Sequence, residues 1–122
     1  MSNRNSPVIS DIKYHFVWPT KFFTSILIGE VKVAAREIAL ESCKDINITV
    51  LDGRVGKNFV HIKVSNVPRL ASSKIMRRVK GRASKVLQER FPHIKEMNLH
   101  GSLWEESYFC ATIGDESEVA VS

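Results

Sequence analysis

Phe59 and His61 stand two residues apart in an apolar run, Asn58-Phe59-Val60-His61-Ile62, that reads as a β-strand. Residues two apart on a strand share a face, so imidazoles at both positions would present two nitrogens to one metal ion. Phe59 takes the first position, and a phenyl ring offers no lone pair, which leaves His61 alone with a nitrogen. The plainer reading of His61 is a hydrogen-bonded sheet histidine beside an aromatic neighbour. His15, in an earlier strand-like run, adds a nitrogen if that strand lies beside the one carrying His61. A metal site needs several converging ligands, however, and the sequence offers no third.

A second chemical feature is the distribution of charge. The chain carries 18 Lys and Arg against 13 Asp and Glu, a formal charge of +5. Seven of the basic residues, Arg69, Lys74, Arg77, Arg78, Lys80, Arg82 and Lys85, fall between Arg69 and Gln88 with no acidic residue among them, leaving 11 basic against 13 acidic elsewhere. A field concentrated in one element attracts polyanions, nucleic acid first. A solvated helix face gives the same pattern. Phe22, Phe23 and Phe59 are aromatic groups that can stack on unpaired bases near the foot of a hairpin, and for Phe22 and Phe23 a buried loop anchor is an equal reading. Cys43 and Cys110 lack paired spacing for a disulfide or zinc site and read as reduced core thiols.

These residues need a frame. At 122 residues the chain is expected to form one domain with a single core, and no run of apolar residues is long enough to span a bilayer. The polar start, Met1 to Ser10, reads as a flexible N-terminus without a secretion signal, so a soluble, cytoplasmic protein is expected. Ile12, Tyr14, Phe16 and Trp18 share one parity in a first strand, Asp11 to Trp18, ended by Pro19. Val31, Ala34, Ala35, Ile38 and Ser42 lie at helical spacing and predict a helix over Glu30 to Cys43. Strands follow at Ile46 to Leu51 and Phe59 to Ser65, joined as a hairpin by Asp52 to Lys57 with its two glycines.

The pattern then returns to helix. Ser72 or Ser73 caps an element whose face is Ile75, Val79, Ala83, Val86 and Leu87, stopped by Phe91-Pro92. Gly81 sits inside this basic helix, where it weakens helical structure unless close packing or a ligand requires it. A polar connection, His93 to Ser102, leads to a last strand, Tyr108 to Ile113, ended by Gly114. The order β-α-β-β-α-β predicts an α+β, ferredoxin-like (RRM-like) sandwich: one antiparallel sheet, two helices on one face, the other face open. Val60, Ile62 and Val64 suit the covered side, placing Phe59 and His61 on the open one. The layout serves unrelated functions, so the residues must decide among them.

Several blocks in register carry a resemblance. Tyr14-His15-Phe16-Val17-Trp18 with Thr20-Lys21, Ser73-Lys74-Ile75, Val79-Lys80-Gly81-Arg82, Leu103-Trp104, Ser107-Tyr108-Phe109 and Ala111-Thr112-Ile113-Gly114 resemble the small single-tyrosine HUH transposases of insertion sequences. The likeness spans about residues 11–114, leaving 115–122 as a short tail. It implies a protein that cuts and rejoins single-stranded DNA beside hairpins, working as a homodimer with composite sites. A tyrosine attacks a phosphodiester, and a divalent ion, Mg or Mn in the family, polarises the phosphate between two histidines and a polar group from a late helix.

Carried over position by position, His61 matches the second histidine and Phe59 replaces the first. Gly56-Lys57-Asn58 replaces the family's Asp-Pro-Asp. The family's nucleophile lies on a helix after the glycine matching Gly114, whereas Asp115 to Ser122 contain neither tyrosine nor glutamine. Tyr14 and Tyr108 match strand positions with structural roles. The expectation is therefore a homodimeric, transposase-like protein that binds hairpin or single-stranded DNA through the basic helix, with no cofactor as it stands, no catalytic residue, a vestigial metal position at His61 and impaired strand cleavage. The alternatives are an active single-tyrosine transposase, an RNA-binding module on the same sheet, and a dimeric interaction protein without nucleic-acid binding.

Overall fold

A computed structural model describes residues 13–65, 67, 72–97, 99 and 101–113. Four strands, β1 (Lys13–Pro19), β2 (Thr49–Gly56), β3 (Phe59–Ser65) and β4 (Phe109–Ile113), form one antiparallel sheet in the order β2-β3-β1-β4. Two helices, α1 (Gly29–Asp45) and α2 (Ser72–Arg90), pack on each other and against one face of the sheet. This is the β-α-β-β-α-β sandwich that the hydrophobic periods predict.

The period-2 pattern decides which face is covered. Phe16 and Trp18 of β1 and Val60, Ile62 and Val64 of β3 are buried beneath the helices, while His15, Val17, Phe59, His61 and Lys63 alternate onto the open side. The covering helices supply Val31, Ala34, Ala35, Ile38 and Ala39 from α1 and Ile75, Met76, Val79, Ala83 and Leu87 from α2. Three alanines on the α1 face let its backbone approach closely. Helix α1 ends in a Schellman arrangement: Asn47 adopts φ 63°, its N–H donates to Lys44 O (3.0 Å), and Ile48 N–H donates to Cys43 O (2.9 Å). Asparagine tolerates this left-handed conformation better than most residues.

Several boundaries differ from expectation, each for a physical reason. The hairpin between β2 and β3 turns at Lys57-Asn58, because Asp52, Gly53 and Gly56 continue β2 instead of forming the loop. An edge strand tolerates such residues, and a register shift between Val50 and Asp52 absorbs Leu51. Pro19 is the last residue of β1 and not its stop: it pairs only with Phe59, beyond the part of β1 that pairs with β4. The expected polar connection after α2 overlaps a 3-10 segment, Pro92–Met97, and buries Ile94 and Leu99, with Leu103 buried just beyond it. Tyr108 precedes β4, half-buried against the core. Asp11, Ile12, Pro68, Gly114 and the tail lie outside the described residues.

Both cysteines are free, but only Cys43 is a core thiol; Cys110 is exposed on β4. Burial pushes the Cys43 thiol up to about 11. No helix among the described residues is long and apolar enough to cross a membrane.

Candidate functional site

Antiparallel pairing sets β1 directly beside β3, with Val17 opposite His61 and His15 opposite Lys63. The two histidines are therefore diagonal neighbours on the open face, within reach of each other. His15 Nδ1 lies 2.8 Å from His61 Nε2, with ring centroids 4.9 Å apart. One ring must donate an N–H and the other accept it, so at least one imidazole of the pair is neutral. His15 is lowered from its usual range by burial first, then by the charges of His61 and Lys63.

That pairing bears on metal chemistry. Phe59 offers nothing to a cation, and its ring lies over Gly56, where an added Cβ would collide with it. Nε2 of His61 is engaged by Nδ1 of His15. No group of three or more His, Cys, Asp or Glu side chains gathers as metal ligands among the described residues. Among the described residues the donor set is thus two imidazole nitrogens bonded to each other with no third ligand beside them, which does not fit an ion held by two histidines and a further polar group.

Beside the histidines the corner of the sheet is aromatic. The Lys21–Phe23 turn that follows β1 holds Phe22 and Phe23 at φ 57° and 55°, with their side chains 60% and 63% exposed. Neither is a buried loop anchor. Thr20 organises the turn from a fully buried position: its N–H donates to Asn58 O (2.9 Å) and its Oγ1 to Thr24 O (2.6 Å). The loop before β4 closes the other side. Lys21 N–H donates to Leu103 O (2.8 Å), Glu105 N–H to Pro19 O (3.0 Å), and Phe22 N–H to Glu105 Oε2 (2.6 Å). Sequence reasoning missed Glu105 and Asn58, whose roles depend on loops far apart in the chain.

The basic residues of α2 part company in the structure. Lys74, Arg77, Arg78 and Lys85 are exposed on the outer surface of the helix, on the opposite side of the molecule from the histidines. Lys80 instead turns inward, donating to Glu105 O (2.7 Å) and Glu106 O (3.2 Å) beneath the Tyr108 ring. Burial lowers its ammonium from the usual range, against the opposing influence of Glu105 and Glu106. Arg82 reaches across to α1 and pairs with Asp45 and, at 3.9 Å, Glu41. Arg69 lies outside the described residues.

Gly81 sits among the exposed cations with no heavy atom within 4 Å of an added Cβ. Close packing against a strand is therefore not its purpose. Gly81→Ala is expected to stabilise the free protein by about 0.5–1 kcal/mol, since alanine removes backbone freedom from the unfolded chain without strain. Urea unfolding checks this, and a lower midpoint for the variant would refute it.

An all-antiparallel sheet in this order with helices on one face defines the ferredoxin-like α+β class, and the paired histidines mark its open face as the place to look for chemistry. Residues 8–122 match the family model for IS200-like transposases. The chain is 24% identical over 113 residues to the ISDra2 transposase TnpA of Deinococcus radiodurans, covering 93% of this chain and 81% of the relative. It is 26% identical over 102 residues to the transposase for insertion sequence element IS200 of Salmonella typhimurium, covering 84% and 67%. Among solved structures, a Deinococcus radiodurans R1 protein assigned as a transposase superposes with a TM-score of 0.81 at 21% identity, covering 99% of this chain and 92% of the other. A REP-associated tyrosine transposase bound to a REP hairpin gives 0.65 at 14% identity, covering 99% and 67%. At those identities the superpositions speak for the fold alone. The chain belongs to the IS200-like transposase family.

Proposed function

We propose that this family member binds hairpin or single-stranded DNA ends of an insertion sequence as a homodimer, and that it has lost strand cleavage along with the divalent ion. The observation that carries the reading is the corner where Phe59 stands beside His61: one imidazole of the pair is missing, and the other is hydrogen-bonded to His15. The outward cations of α2 support retained binding, because phosphate contacts from Lys and Arg give affinity independent of sequence. The structural neighbour bound to a REP hairpin supports hairpin DNA as the partner.

Incubation with a labelled single-stranded hairpin substrate and Mn²⁺ tests both halves. The expected result is a mobility shift with no protein–DNA adduct surviving denaturation. A covalent adduct would overturn the loss of cleavage, and absence of any shift would overturn binding. RNA is the second reading, favoured by Phe59, Phe109 and Lys63 on the open sheet face. Competition by RNA of the same sequence at lower concentration than DNA would establish it.

A further inference from the structure

We propose that the aromatic corner beside the histidine pair is a clamp for one unpaired nucleobase, so that the position left by the missing histidine now binds the strand instead of a metal. The inference rests on the nucleic-acid reading above and gives that reading a defined contact. A cavity of about 500 Å³ opens at this corner, lined by Val17, Pro19, Phe23, Phe59, Tyr108 and Phe109, with Asn58 and Ser107 as its polar members. Volumes of this order suit a small, mostly apolar ligand oriented by a few polar groups. A planar base fits that description, with its faces against rings and its edge against a carboxamide and a hydroxyl.

Three observations point to a ligand and not to ordinary surface. Phe23 and Phe109 are 63% and 60% exposed and Phe59 38%, although they share one cavity. Apolar side chains gathered in the open mark binding sites more often than chance exposure. Phe22 and Phe23 are consecutive bulky residues with positive φ, a conformation that costs on the order of 1–3 kcal/mol each and persists only where the surroundings impose it. Here Thr20, Asn58, Leu103 and Glu105 impose it, and the outcome is a phenyl ring held at the cavity and not in the core. Finally, the Phe59 ring is seated on Gly56, so its orientation is set before any ligand arrives.

Charge favours a nucleotide over an uncharged apolar partner. Lys63 shares the open face of β3 with Phe59, and Lys57 precedes Asn58 in the hairpin turn. The carboxylate of Glu105 is occupied by the Phe22 amide. A base stacked on the rings would leave its phosphates at this cationic margin, the combination used by single-strand binding surfaces generally.

The experiment uses hairpin oligonucleotides with a single-stranded extension carrying 2-aminopurine at successive positions, since stacking quenches its fluorescence. Quenching is expected at one position. Phe109→Ala and Phe109→Leu should each abolish it and weaken binding by roughly 5- to 150-fold, the range for one base–aromatic stack. A blunt hairpin without the extension should bind both variants like the parent protein. If the variants bind and quench as the parent does, the clamp is refuted while DNA binding stands. If no oligonucleotide binds the parent, the underlying reading has failed instead. A change in molar mass of Phe109→Ala by light scattering, without loss of quenching, would assign the corner to a second copy of the chain and also refute the clamp.

Discussion

Replacing Trp104 with alanine is expected to lower the unfolding free energy by about 3–5 kcal/mol, the range for truncating a buried aromatic. Trp104 is almost fully buried, meets Trp18 edge-on at 6.0 Å, and donates its indole N–H to Lys80 O (2.9 Å). It also pairs in an isolated bridge with Thr20, joining the loop before β4 to the turn after β1. Ordinary domains have a total stability of about 5–15 kcal/mol, so the loss removes between about a fifth and all of it. Trp104→Phe separates the two contributions: it keeps much of the ring contact and removes the hydrogen bond, so about 1–2 kcal/mol is expected. Urea unfolding with an unchanged m-value is the measurement. A loss under about 1 kcal/mol for the alanine variant would show that Trp104 is not the joint inferred from its contacts.

That joint was hidden from sequence reasoning, and the reason is general. Period 2 in Phe59 to Ser65 and period 3.6 in α1 and α2 are local signals, so element order, the covered face and the shared side of Phe59 and His61 were legible. Features that depend on where distant segments meet were not. Gly53 and Gly56 read as a loop because glycine usually breaks strands, yet they extend an edge strand whose partner β3 supplies the pairing. The outward charges of α2 looked uniform in sequence. Lys80 finds the carbonyls of Glu105 and Glu106, and Arg82 finds Asp45, 37 residues away, so two of the expected DNA contacts are engaged within the protein. The sequence offers His15 as a neighbour of His61, but their 2.8 Å approach follows from diagonal register that only the paired strands define.

The same partition selects the charges worth reversing. Lys74→Glu with Arg78→Glu is expected to weaken hairpin binding by about 100-fold near 0.1 M salt and to reduce the slope of log affinity against log salt by roughly two units, one per lost phosphate contact. Both side chains lie on the exposed ridge of α2, a turn apart, and neither pairs with an acid among the described residues. Reversing Arg82 would confound the measurement, because a third carboxylate beside Glu41 and Asp45 would repel them and loosen the contact between α1 and α2. Lys80 is unsuitable for a related reason: its loss would free the loop that holds Glu105 against the Phe22 turn. The double variant should fold normally, since surface substitutions away from such contacts shift stability by about 0.5 kcal/mol or less. Fluorescence anisotropy across a salt series reads both quantities at once. A variant that keeps the parent slope while folding normally would place the DNA elsewhere than on α2, whereas a lower slope with an intact open face would separate the helix grip from the aromatic corner.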